Sequence, residues 1–312
     1  MSEDGPWSVA AADAGQALAA FLRARTQKPW REVKRLIGTG KVFVAGAPAR
    51  EEGRRLATGE TVELQMAAPR PRPRLEGPAP EALRIVVEDT HLVVVDKPAG
   101  ISSVPDRPGE ERTAVELVRA LWRKQGRRGN EPLHKVHRID KPTSGLLVYA
   151  RTEHARAVLD QRFRAHAIER AYLCVAQGVV PAGTIDRQLI VDRGDGLRWV
   201  ARPGQTGKDA ITHVEVLEAL RGATLCRVTL ETGRNHQIRI HLAASGHPLL
   251  GEHVYQRDLA NAGAPLLSAP RLMLHAALLG LPHPVSGAPL RFESPAPPDF
   301  QAVVAALRGP AG

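Results

Sequence analysis

The chain has 312 residues and a formal charge of +10. That length suits two domains at roughly 150 residues each, and the excess charge points to a polyanionic partner. Two cysteines, Cys174 and Cys226, have no C-x-x-C spacing and exclude a disulfide framework. No apolar run approaches the roughly 20 residues that cross a bilayer, and no basic-then-apolar leader opens the chain, so a cytoplasmic, non-membrane protein is expected.

In chain order, residues 13–66 read as a first domain. Leu18, Phe21 and Leu22 recur at helical spacing, as do Val33, Leu36 and Ile37 after Trp30. Gly40 stops the second helix, Lys41 to Val44 reads as a strand, Gly46 turns it, and Thr61 to Leu64 follows Gly59 as another strand. Two helices followed by glycine-turned strands resemble the alpha-L RNA-binding module first known from small-subunit ribosomal protein four. Leu18, Phe21, Arg31, Val33, Leu36, Ile37, Gly40, Val42, Val44, Gly46, Gly59, Val62 and Leu64 carry that resemblance, and Ala45 departs from it where the family often has Asn. It implies that Arg31, Lys34, Arg35 and Lys41 face RNA.

Residues 67–82, rich in proline, arginine and alanine, read as an extended linker. From residue 83 to 307 the pattern becomes many strands with occasional helices. Strands are expected at Ile85–Val87, Leu92–Val95, Leu146–Ala150, Tyr172–Val175, Ile211–Leu217, Thr224–Leu230 and Ile238–Leu242. Helices are expected from Thr113 to Lys124 and from Thr152, a good N-cap, to Ala167. Strands without a regular intervening helix predict an α+β fold: a central mixed, mostly antiparallel sheet flanked by helices, with the small N-terminal ααβ domain appended.

The densest charge lies between Arg119 and Lys141, where eight Lys/Arg face only Glu131 and Asp140. A charge run is usually a solvated face. Here it ends in His137-Arg138-Ile139-Asp140-Lys141-Pro142-Thr143-Ser144-Gly145, just before an apolar strand. The charged form of a carboxylate between Arg138 and Lys141 is favoured, and a strand edge holds it rigidly. His134, His137 and Asp140 also suggest metal ligands, but no further cluster has zinc spacing.

The nine residues 137–145 resemble the H-R-L-D-x-x-T-S-G signature of the RluA-type pseudouridine synthases. Three further segments extend the resemblance in the family's order: Leu92 to Gly100 (LVVVDKPAG), Arg170-Ala171-Tyr172 with Gly178, and Thr232 to His241 (TGRNHQIRIH) with Gly246-His247-Pro248 and Gly251. Departures are Ile139 for leucine, Pro142, Asn235, and Glu252-His253 in place of an Asp-containing pair. The resemblance implies isomerisation of uridine in RNA, ribosomal first and transfer RNA second, through a base swung out of the stack. It implies no cofactor and no metal, because substrate and product are isomers.

By the same resemblance Asp140 is the catalytic carboxylate, Tyr172 stacks on the uracil, and Arg239 pairs with Asp140 through its planar fork. Arg138 would enter the RNA stack or bind phosphate; Lys97, His137, Arg234, His236 and Gln237 would support the pocket or touch RNA. A second reading keeps the scaffold but not the reaction, as a non-catalytic RNA-binding or ribosome-assembly protein. A third is a metal-dependent hydrolase or nuclease using His137 and Asp140, which lacks a second acidic cluster. A monomer is expected.

Overall fold

The computed structural model describes residues 5–49, 51–68, 83–105, 112–193, 197–256 and 266–308. The linker expected over 67–82 falls outside these residues from position 69 onward. The chain divides into two compact units, residues 1–74 with 190–207, and residues 75–189 with 208–312. The excursion at 190–207 therefore belongs with the first unit, where the sequence pattern had assigned it to the 83–307 domain.

In the first unit the order is β1 (Trp7–Ser8), α1 (Leu18–Thr26), α2 (Trp30–Gly38), β2 (Val42–Val44), β3 (Ala47–Pro48) and β4 (Thr61–Leu64). The strands form one sheet in the order β1-β4-β2-β3, so an edge strand precedes the expected start at residue 13. Val33, Leu36 and Ile37 turn one face of α2 into a core with Leu18, Phe21, Val42 and Val62. The same 3.6-residue period leaves Arg31 and Arg35 exposed on the opposite face. Gly40 (φ 69°) reverses the chain into β2, a left-handed conformation that glycine adopts without steric cost.

The second unit contains β5 (Arg84–Glu88), β6 (Leu92–Lys97), α3 (Ala114–Lys124), β7 (His134–Lys135), β8 (Ser144–Ala150), α4 (Glu153–Arg164), β9 (Glu169–Gln177) and β10 (Gly183–Asp186). In the chain, β11 (Leu189–Ile190) and β12 (Trp199–Val200) follow; they pair with each other outside the main sheet, and β12 lies in the 190–207 excursion grouped with the first unit. The chain continues with β13 (Ile211–Leu220), β14 (Ala223–Leu230), α5 (Gln237–Ala244), β15 (Leu274–Pro282), β16 (Pro289–Glu293) and α6 (Pro298–Arg308). The sheet order is β10-β13-β14-β9-β15-β8-β6-β5, with β7 beside β8 and β16 beside β15. β8 and β15 run parallel, and the other neighbours along this order are antiparallel.

The period of two sorts β6 and β8 between two layers. Val93, Val95, Leu147 and Tyr149 meet α3 through Val115, Val118 and Trp122. Leu92, Val94, Leu146 and Val148 meet α4 through Ala155 and Leu159. Both faces are covered, which is why these strands read as unbroken apolar runs. The two helices are capped by Thr113 and Thr152, whose hydroxyls accept from the Glu116 and Ala155 amides.

One transverse row of the sheet aligns three of the sequence motifs. Val214 lies opposite Val228, Val228 opposite Tyr172, Tyr172 opposite Ala276, Ala276 opposite Gly145, and Gly145 opposite Lys97. Gly145 has φ 109°, and a Cβ there would lie 2.2 Å from the Ala276 carbonyl oxygen. Gly145→Ala is therefore expected to cost more than about 3 kcal/mol, read as a lowered urea midpoint; a wild-type midpoint would show that β15 yields.

The segment expected as a strand at 238–242 is helix α5. Its alternation of apolar and polar residues does not mark a solvent face, because Gln237, Arg239 and His241 are all buried with polar partners. His236 (φ 59°) turns the chain into that helix. α4 likewise ends at Arg164, short of Ala167, and His166 (φ 57°) turns the chain toward β9.

Candidate active site

Asp140 sits in the loop between β7 and β8, and the segment after β6 clamps the backbone on both sides of it. The Ser103 hydroxyl donates to the Ile139 carbonyl (2.8 Å) and accepts from the Ile139 amide (3.2 Å). The Gly100 amide donates to the Lys141 carbonyl (2.8 Å). The Lys97 ammonium donates to Pro98, Ile101 and Lys141 carbonyls at 2.9, 2.9 and 3.4 Å. These bonds fix the backbone around Asp140 before any substrate arrives.

The Asp140 side chain is 14% exposed and faces α5. Its Oδ2 lies 3.4 Å from an Arg239 terminal nitrogen, and its Oδ1 lies 3.8 Å from His236 Nε2. The short bonds of Arg239 go elsewhere: its Nε and other terminal nitrogen donate to the two oxygens of Glu252 at 2.7 and 2.9 Å. The planar fork thus grips Glu252, and Asp140 takes only the remaining edge; the pairing expected from sequence is present but is the looser of the two. Glu252 is fully buried and also accepts from the Val254 and Tyr255 amides. The Tyr255 ring lies 5.2 Å from the Arg239 guanidinium, and its hydroxyl hydrogen-bonds His236 Nδ1 at 2.6 Å. A closed circuit results: Asp140, Arg239, Glu252, Tyr255, His236.

Burial works against the charge of both partners in the tight pair. It pushes the Glu252 carboxyl up, yet the Arg239 guanidinium and the two amides outweigh it and hold the group below its ordinary value. Burial lowers Arg239, and Glu252 and then Asp140 more than reverse that, so it remains cationic. Tyr172, buried in β9, has its phenol pushed up by burial; Arg170 opposes the shift and Asp140 adds to it. It is a neutral hydroxyl at physiological pH.

A cavity of about 490 Å³ joins these groups, a volume within the usual range for small-molecule-sized sites. Asp140, Tyr172 and Arg239 line it together with Lys135, Arg138, Arg164, Arg170, Arg234 and His236, and Ile139, Phe163, Ile238 and Leu274 supply apolar wall. Six Lys/Arg against Asp140 and Asp160 make it a basic cleft. Thr143 also lines it, and its hydroxyl is buried without a hydrogen-bond partner among the described residues. A second cavity, about 700 Å³, lies behind the Asp140 loop, but its Arg271 is paired with Asp299 and its Asp96 with Ser294.

Of the residues expected to touch RNA, Arg138 and Arg234 are exposed at the cleft. Three others take the supporting part of that expectation. Lys97 is completely buried and gives its donors to backbone, and burial lowers its pKa to about 7. Gln237 is buried and bonded to Thr232, Arg234, Ile211 and Thr212, so it shapes the start of α5. His137 accepts the Val148 amide on Nε2, stacks on Phe163, and is pushed down to about 3 by burial and then by Arg170; a neutral ring brings no charge to a phosphate. In the first unit Arg31 and Arg35 are exposed, Lys34 is paired with Glu52, and Lys41 caps the Met66 and Ala68 carbonyls instead of projecting. Sequence reasoning missed Ser103, Glu252, Tyr255 and Arg170 as site residues; Glu252 was visible only as a departure from the family pattern.

The model of the RNA pseudouridylate synthase family matches residues 91–244, which include Asp140, Tyr172 and Arg239. The chain is 36% identical over 292 residues to the ribosomal large subunit pseudouridine synthase D of Zymomonas mobilis, covering 92% of this chain and 90% of that protein. It is 39% identical over 235 residues to the protein of the same name from Pseudomonas aeruginosa, covering 72% of each. Among solved structures, human RNA Pseudouridylate Synthase Domain Containing 4 superposes with a TM-score of 0.59 at 25% identity, over 72% of this chain and 92% of that one.

Proposed function

Because the chain belongs to the RNA pseudouridylate synthase family and isomerises uridine to pseudouridine in RNA, we propose that its substrate is large-subunit ribosomal RNA and that Asp140 is the carboxylate on which the reaction turns. The observation that carries this reading is the convergence of Asp140, Tyr172 and Arg239 on one basic cleft. The relatives named for the large ribosomal subunit support the choice of RNA; transfer RNA is the second substrate to assay.

The reaction breaks the bond from ribose C1′ to N1, rotates the uracil, forms the bond from C1′ to C5, and moves the C5 proton to solvent while N1 regains one. Atoms and electrons balance within the nucleotide. A stacked uridine hides C1′, so the base is flipped into the cleft, where the Tyr172 ring forms a face to stack on. Arg138 and Arg234 hold the backbone at the rim. Removal from water strengthens the field of the Asp140 carboxylate at the sugar, and the loose contact with Arg239 orients that carboxylate without neutralising both oxygens. The first unit, through Arg31 and Arg35, adds phosphate contacts as an RNA-binding module of the alpha-L kind, so affinity falls steeply with salt. The protein works as a cytoplasmic monomer in this reading.

The test is incubation of purified protein with transcribed large-subunit RNA in the presence of chelator, followed by chemical probing for pseudouridine. Product supports the assignment; binding without product refutes it. Tyr172→Phe is expected to keep RNA affinity and lower turnover by about 10²-fold, in the range of lost proton-transfer assistance. Wild-type turnover in that variant would reduce the residue's part to stacking.

A further inference from the structure

Arg170 lines the cleft, and its guanidinium makes no hydrogen bond among the described residues. It lies two residues before Tyr172 on β9, and residues at that spacing share a face of the sheet. Its Nε is buried without a partner, and among the described residues it makes no ion pair. The guanidinium is backed by the Phe163 ring at 5.6 Å. On the other side it meets Gly233, where a Cβ would come within 3.0 Å of one terminal nitrogen. The contrast with its neighbours is plain: Arg239 is held by Glu252, and Arg234 donates to the Asp209 carbonyl.

A buried donor without an acceptor is costly, and the Arg170 side chain is half-buried around its buried Nε. A ligand in the cleft would meet the terminal nitrogens of the guanidinium, which make no hydrogen bond among the described residues. That ligand is anionic, because a guanidinium fork matches two oxygens of one phosphate. Phe163 and Arg170 line the cleft together, so the ring supports the guanidinium there. Two residues of strand separate it from Tyr172 by about 7 Å, comparable with the reach from a nucleobase to the phosphate of its own nucleotide.

We propose that Arg170, supported by Phe163 and given room by Gly233, forms a phosphate-binding subsite that grips the sugar–phosphate backbone of the flipped nucleotide. The subsite rests on the assignment of RNA to this cleft. It makes the cleft recognise a nucleotide rather than a free base: the uracil lies on Tyr172 while its phosphate meets Arg170.

The test uses the full-length protein and transcribed large-subunit RNA. Wild type, Arg170→Ala and Arg170→Lys are compared by filter binding across a several-fold range of KCl, with pseudouridine formation measured alongside. Loss of one phosphate contact is expected to reduce the slope of log affinity against log salt by about 0.7 in Arg170→Ala and to weaken affinity about tenfold. Arg170→Lys keeps the charge but not the fork, so it retains the slope while losing part of the affinity. An unchanged slope in Arg170→Ala, whatever happens to turnover or melting temperature, overturns the subsite and leaves Arg170 a strut for Phe163. Failure of the wild type to form pseudouridine counts against the assignment of the substrate instead, and the binding slope still decides the subsite.

Discussion

Asp140→Asn is expected to lower pseudouridine formation by about 10³-fold or more, while the fold and RNA binding survive. The change is nearly isosteric, and the backbone around residue 140 is held by Ser103, Gly100 and Lys97 through bonds that do not involve the side chain. Arg239 does not become an orphan charge, because its two short bonds run to Glu252. A single-turnover assay on saturating RNA, with a urea melt as control, separates chemistry from folding. Appreciable turnover in Asp140→Asn would remove Asp140 from the reaction and with it the proposed role.

Glu252→Gln should behave differently, with stability and turnover falling together. Two carboxylate oxygens accept from Arg239 Nε, a terminal Arg239 nitrogen, and the Val254 and Tyr255 amides. A carboxamide has one acceptor oxygen, so in either orientation its NH2 group opposes a donor. The neutral side chain also leaves a buried guanidinium without its main counter-ion, and breaking a buried pair from one side costs about 3–5 kcal/mol. Arg239 would then be drawn fully onto Asp140, so its orientation changes and turnover drops.

The pH dependence follows from the direction of the Glu252 shift. Its folded-state pKa is lowered from 4.5, so its contribution is present above about pH 4.5 and is lost as the pH falls through the lower folded value. In Glu252→Gln this part of the acid limb disappears. A urea midpoint equal to wild type at pH 7, or an acid limb unchanged in the variant, would show that the circuit contributes nothing.

Much of this was legible in the chain. The unbroken apolar runs of β6 and β8 and the caps Thr113 and Thr152 are local signals, and the elements follow them. The chemistry-bearing motifs at 137–145, at Tyr172 and at 232–241 could be picked out because together, and in order, they resemble the motifs of a known family. Gly145 carries a local signal too, but its reason, the Ala276 carbonyl 131 positions later in the chain, does not appear in its neighbourhood.

By itself the sequence determined the basic character, the strand and helix positions set by short-range periodicity, and which carboxylate to propose for the reaction, since all of these are encoded within a few consecutive residues. Only the tertiary structure decided which polar side chains are tools and which are braces. Lys97, Gln237 and His137 look like surface cations or donors in one dimension, and burial turns them into backbone supports. Arg239 reads as a strand residue reaching for Asp140, and the fold makes it a helical residue held first by Glu252. Desolvation and pairing depend on groups brought together from distant parts of the chain, and that information is absent from any local window of sequence.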